Sequence, residues 1–149
     1  MLFRSDHASV ADDVIPTLQT LRERGLKIGL VSNTFVPAAT HDRHLAQAGL
    51  IEFFPVRVYS SEVRFRKPHR RIFEIALSQI GTKPHETLFV GDLVKADIQG
   101  AKRVGMKTVL RQAFAVNDRH RVADHVIRKI SELTRIVPSG IDAHTATLA

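Results

Sequence analysis

From Asp12 onward the sequence switches repeatedly between a helical spacing of apolar residues and short apolar extended runs, with few residues separating them. That alternation narrows the fold more than any other feature, because parallel strands require crossover helices and a strand–helix rhythm with short connections implies βα units on one sheet. Ile15, Leu18 and Leu21 share a face behind Asp12 and Asp13, either of which can cap a helix, with Pro16 in the first turn and Gly25 as the stop. Lys27 to Val31 then reads as a buried strand that ends in Ser32-Asn33-Thr34. A second helix covers His41 to Gln47 and closes at Gly49, and Phe54 to Tyr59 reads as a strand that Pro55 confines to an edge or a strand start.

Further along, Phe73, Ala76, Leu77 and Ile80 mark the buried stripe of a third helix stopping at Gly81. Thr87 to Val90 predicts a strand running into Gly91-Asp92, a helix follows from Asp97 to Val104, and Gly105 ends it. Met106 to Leu110 is the next strand, Asp124 to Ile127 a short edge strand and Ser131 to Ile136 a last helix. From Pro138 the Ser, Gly, Thr and Ala content predicts a frayed tail.

A length of 149 residues suits one domain, and 44% apolar with 25% charged residues is ordinary globular composition. With no cysteine there is neither a disulfide framework nor a thiolate ligand or nucleophile. The first residues carry no apolar signal region and no run is long enough to span a bilayer, so a cytoplasmic location without membrane contact is the expectation. The net charge of +7 gathers in Arg64-Phe-Arg-Lys-Pro-His-Arg-Arg71 and Arg119-His-Arg121, yet Phe65 is the sole aromatic interleaved with these runs. That is too little for a base-stacking surface, so nucleic acid is not expected as a partner and the runs read as a solvated basic face.

Ligands of an open parallel sheet bind beyond the carboxyl ends of its strands, which singles out three places. Ser32 offers a hydroxyl, and the turn N–H groups after it can face an anion, although capping of the turn is the plainer use. Lys67 precedes Pro68, whose extended approach can aim the ammonium at a phosphoryl group, although a lysine in a basic run is ordinarily solvated. Asp92, released by Gly91 at the sheet's mouth, suits a hard cation, and Asp97 five residues later can either support such a site or complement a helix N-terminus. His41, His44, His69, His120 and His125 have no partner set of metal-site spacing and read as surface histidines.

The order of these pieces resembles the haloacid dehalogenase superfamily. Leu18-Gln-Thr-Leu-Arg-Glu-Arg-Gly25 with Ile28-Gly-Leu-Val-Ser-Asn-Thr34 looks like its second motif, Arg66-Lys67-Pro68 with Ile72-Phe73 like its third, and Phe89-Val-Gly-Asp92 with Asp97, Gly100-Ala101 and Gly105-Met106 like its fourth. The resemblance implies a Rossmann-like three-layer α/β core with a mostly parallel sheet, and magnesium-dependent transfer of a phosphoryl group through an aspartyl phosphate on a small phosphorylated substrate. It assigns phosphoryl binding to Ser32, Asn33 and Lys67, and magnesium to Asp92 with Asp97 in support.

The family's first motif, a strand ending in Asp-x-Asp that supplies the nucleophile, has no counterpart in the sequence, and Asp6 lacks both the strand and the second acid. By resemblance residues 13–137 are a partial core, 1–12 the remnant of a cap or linker and 138–149 a flexible tail. The absent strand belongs between the strands ending at Ser32 and Asp92. Met1 to Arg4, direct pairing of the two neighbours, a second chain or partial unfolding would then have to resolve the gap, and a partly unfolded, aggregation-prone fragment with exposed apolar surface is the expectation for the isolated chain. A non-catalytic anion-binding or protein-binding relative, or one half of a split enzyme, is the alternative to a truncated phosphatase.

Overall fold

The computed structural model describes residues 12–112, 122–137 and 145–148. Among these, the strands β1 (Ile28–Ser32), β2 (Val56–Tyr59), β3 (Thr87–Gly91), β4 (Lys107–Arg111), β5 (His125–Ile127) and β6 (Thr145–Leu148) form one sheet in the order β2-β1-β6-β3-β4-β5. Every pairing is parallel. β1 and β3 are buried along their whole length, as parallel strands covered on both faces must be.

The helices are α1 (Val14–Glu23), α2 (Ala38–Gln47), α3 (Ser60–Val63), α4 (Arg70–Ile80), α5 (Gly100–Arg103) and α6 (Leu133–Ile136). Successive strand side chains point to opposite faces and so split the core in two. Leu18 and Leu21 of α1 pack with Ile28, Leu30, Leu88, Val90 and Leu133 on one side. Ile72, Phe73 and Leu77 of α4 pack with Val31, Phe89 and Ala101 on the other. The three-layer α/β architecture expected from the sequence is therefore present, with β2 and β5 at the edges as the Pro55 and Asp124 signals indicate.

The residues of the chain depart from the expectation in several places. The Asp13 carbonyl accepts the Thr17 N–H at the start of α1, but its side chain does not cap the helix; the carboxylate instead accepts the Ser131 N–H at 2.9 Å, tying α1 to the turn before α6. α3 is an additional short helix that ends on Arg64, whose φ of 65° is left-handed. The helix predicted from Asp97 begins earlier, as a wide π-type turn over Val94–Gln99 that runs into α5.

The largest departure concerns the centre of the sheet. β1 and β3 do not pair with each other; the slot between them is filled by β6, from the segment predicted to be a frayed tail. Ala146 pairs with Ile28 and Leu88, Thr147 with Gly29 and Phe89, and Leu148 with Leu30 and Val90. Backbone groups at the middle of a sheet cannot reach water, so an occupant that satisfies both neighbours is worth the entropy of ordering it. Met1 to Arg4, the segment foreseen as a stub strand in this slot, lie outside the described residues, as do Asp6 and Arg119 to Arg121.

Candidate active site

The chain runs outward from β1 to β2 and then crosses to β3 on the other side of β6, so the strand order reverses at the β1/β6/β3 centre. Such a switch point opens a crevice beyond the strands' carboxyl ends. Ser32 lies two residues past Leu30 and Asp92 two past Val90, and both Leu30 and Val90 pair with Leu148. The two site residues therefore stand level across the β6 position, roughly 10 Å apart at two strand spacings.

Lys67 reaches this place from the α3–α4 loop and, contrary to the reading of a solvated basic run, is only 7% exposed. Its Nζ donates to the Val31 carbonyl at 3.0 Å and pairs with Asp97 Oδ1 at 2.8 Å. An ammonium has three donors, so one direction is left for an anion at the end of β1. The loop carrying it is held by Asn33, whose side chain donates to the Lys67 carbonyl at 3.0 Å and accepts the Lys67 N–H at 2.8 Å. The Lys67–Pro68 bond is cis. Asn33 thus contributes through its amide to the placement of Lys67, and the turn N–H of Thr34, one of those available in principle to an anion, is taken by Ser60 Oγ at 2.8 Å.

Asp97 is 1% exposed, and its Oδ1 has the Lys67 ammonium as an ion-pair neighbour but no hydrogen-bond partner among the described residues. One oxygen faces Lys67, and the other accepts the backbone N–H groups of Asp92 at 3.1 Å and Leu93 at 3.0 Å. Gly91 makes the approach possible, because a Cβ there would lie 2.3 Å from the Cβ of Asp97. The carboxylate of Asp97 is therefore a clamp: it fixes the loop that presents Asp92 and balances the charge of Lys67. Asp92 itself is exposed at the rim. A hard cation is commonly held by one or two carboxylates with water and substrate oxygens, and Asp92 backed by this clamp fits that pattern. No group of three or more potential metal-ligating side chains gathers among the described residues.

A network that the sequence did not suggest stands behind the β1 turn. His41 is bonded through Nε2 to Thr34 Oγ1 and stacks on Tyr59 with ring centroids 5.1 Å apart. The Tyr59 hydroxyl donates to Asp42 Oδ1 at 2.8 Å, and Arg57 Nε pairs with the same oxygen at 2.8 Å. Burial, and then the hydrogen bond and charge of Asp42, push the Tyr59 hydroxyl pKa well above its ordinary value. Two of the remaining histidines are exposed, as expected: His69 accepts the Arg71 N–H at the start of α4, and His125 lies on the edge strand β5. His44 is partly buried with its ring edge-on to His41, while His120 is outside the described residues.

Burial, followed by the neighbouring His44, lowers the His41 pKa, with Asp42 opposing. Thr34 Oγ1 also accepts the Val36 N–H at 3.0 Å, which ties His41 to the turn after β1. With a folded pKa below the unfolded one, the unfolded chain takes up the proton first. This contribution to stability is therefore complete above about pH 6.5 and declines as the pH falls from there through the folded pKa. Urea midpoints of wild type and His41→Asn at pH 7.5 and 5.5 are expected to converge at the lower pH; a constant gap would show that His41 is not the titrating group.

The parallel order, the switch-point crevice and the buried Lys67–Asp97 pair beneath it are those of an open α/β domain with its ligand site at the strand ends. A haloacid dehalogenase-like hydrolase family model matches residues 1–105, and the chain belongs to this family. It is 43% identical over 97 residues to a glyceraldehyde 3-phosphate phosphatase of Methanopyrus kandleri, covering 65% of this chain and 41% of that protein. Among solved structures it is similar to a HAD phosphatase from Thermococcus onnurineus, with a TM-score of 0.79 and 35% identity over 87% of this chain and 59% of the other. It is also similar to the Bacillus subtilis HAD hydrolase YfnB solved bound to magnesium, with a TM-score of 0.75 and 26% identity over 85% of this chain and 55% of the other. The chain spans about half the length of the curated relatives it matches, 41%, 54% and 58% for three of them. No helix among the described residues is long and apolar enough to cross a membrane.

Proposed function

We propose that this chain supplies the phosphoryl-binding and magnesium-binding part of a phosphatase active site acting on a small phosphate monoester. The observation that carries the reading is the buried Lys67, held between Val31 and Asp97 with one donor remaining, at the switch point where Ser32 and Asp92 stand level. Phosphoryl transfer asks mainly for positioning and for compensation of charge on the equatorial oxygens. In this reading the Ser32 hydroxyl and Lys67 ammonium bind phosphoryl oxygens, Asn33 sets the Lys67 loop, Asp92 holds the metal and Asp97 steadies both. Magnesium, when bound, would supply further charge compensation at the same oxygens. The magnesium-bound YfnB structure and the phosphatase names of the relatives support this assignment.

The family's aspartyl nucleophile belongs to an Asp-x-Asp motif that this sequence does not contain. The chain alone is therefore expected to bind inorganic phosphate weakly and to hydrolyse p-nitrophenyl phosphate with magnesium no faster than its Asp92→Asn variant. Phosphorus NMR titration with wild type and Ser32→Ala tests the binding half: phosphate binding that is lost in Ser32→Ala supports the reading, and equal behaviour of the two overturns it. A magnesium-dependent rate abolished by Asp6→Asn would place a nucleophile in the N-terminal segment.

A further inference from the structure

Beside the phosphoryl site, the loop after β1 and the loop after α3 enclose a shallow cleft of about 320 Å³ lined in part by Thr34, Phe35, Ser60, Arg64, Phe65 and Arg66. Its walls are fixed to each other. Thr34 N–H donates to Ser60 Oγ at 2.8 Å, and Ser60 Oγ donates back to the Thr34 carbonyl at 3.0 Å. Ser61 Oγ donates to the Val36 carbonyl at 2.9 Å, and Glu62 accepts the Ala38 N–H at 3.3 Å.

Phe65 turns inward against the α4 side of the core, which leaves its neighbours Arg64 and Arg66 exposed on the cleft. Among the described residues neither arginine joins an ion pair; the Arg66 guanidinium lies 5.4 Å from the centre of the Phe35 ring, itself 90% exposed. Arg64 occupies a left-handed conformation, φ 65°, that glycine or asparagine would adopt at lower cost.

We propose that this cleft is a second anion subsite, in which Arg64 and Arg66 hold a carboxylate or a further phosphate of the substrate while its scissile phosphoryl group sits at Ser32 and Lys67. The inference rests on the phosphoryl reading above and narrows it to phosphate esters that carry another oxyanion. Continuity supports it, since Thr34 is two residues from Ser32 and Arg66 adjoins Lys67. Guanidinium groups suit such planar or tetrahedral oxyanions through paired N–H donors.

The test compares the affinity of the full chain for inorganic phosphate, methylenediphosphonate and phosphonoacetate at matched ionic strength. One probe with a second oxyanion is expected to bind about tenfold tighter than phosphate, and which one gains distinguishes phosphate from carboxylate. In R64Q/R66Q that advantage should vanish with phosphate affinity retained, while the charge-matched R70Q/R71Q keeps it. An advantage absent from wild type, or equal in all three proteins, overturns the subsite even where Ser32→Ala still shows phosphate at the main site. Failure of every probe to bind overturns the phosphoryl reading and the subsite together.

Discussion

Replacing Thr147 with proline should cost about 3 kcal/mol or more, because proline removes a ladder donor from the middle of a sheet and crowds its neighbours. Thr147 pairs with Gly29 of β1 and Phe89 of β3, so the loss falls at the seam between the two halves of the sheet. Removing residues 145–149 should be more severe. Each buried backbone group left unpaired costs about 1 to 3 kcal/mol, and a domain's whole stability is only ~5 to 15 kcal/mol. Urea denaturation followed by circular dichroism is expected to show a lowered midpoint for T147P and no cooperative transition for the truncated chain. A T147P midpoint within about 1 kcal/mol of wild type would mean that Thr145–Leu148 does not fill the slot.

The second large effect concerns Lys67 and Asp97, paired at 2.8 Å with exposures of 7% and 1%. Lys67→Met leaves a buried carboxylate without its counter-ion and should destabilise by about 3 to 5 kcal/mol. Asp97→Asn keeps an acceptor for the N–H groups of Asp92 and Leu93 but strands the ammonium, with a loss of similar size. The double variant removes both charges, so it should be less unstable than the sum of the two by roughly 0.5 to 3 kcal/mol. Denaturation of the four proteins closes this cycle, and additivity within about 0.5 kcal/mol would show that the pair contributes nothing.

Much of this architecture was legible because local signals and the tertiary arrangement agree. β1 and β3 are apolar runs, β4 has an apolar Val109-Leu110 centre, and α1, α2, α4 and α5 each end within two residues of Gly25, Gly49, Gly81 or Gly105, all with positive φ. Ser32, Lys67 and Asp92 were visible as polar residues just after strands or before a helix. β6 was not, since Thr-Ala-Thr-Leu lacks the apolar continuity of a buried parallel strand and its only support is the pair of edges it meets. Lys67 looked solvated because its sequence neighbours are basic, whereas its environment comes from Val31 and Asp97, 36 residues before and 30 after it. The same holds for Thr34, His41, Asp42, Arg57 and Tyr59, whose contacts cross from the β1 turn and α2 to β2.

That the centre of the sheet is completed by residues 145–148 also sets an order of assembly during synthesis. The β2-β1 pair and the β3-β4-β5 group emerge from the ribosome first, each with one edge that, among the described residues, only β6 joins. Until Thr145–Leu148 are released, two half-sheets carry facing rows of open donors and acceptors, the kind of edge that recruits other chains. Translation delayed shortly before this segment would therefore prolong the aggregation-prone interval, whereas a delay before β3 would hold back only a half-sheet not yet made.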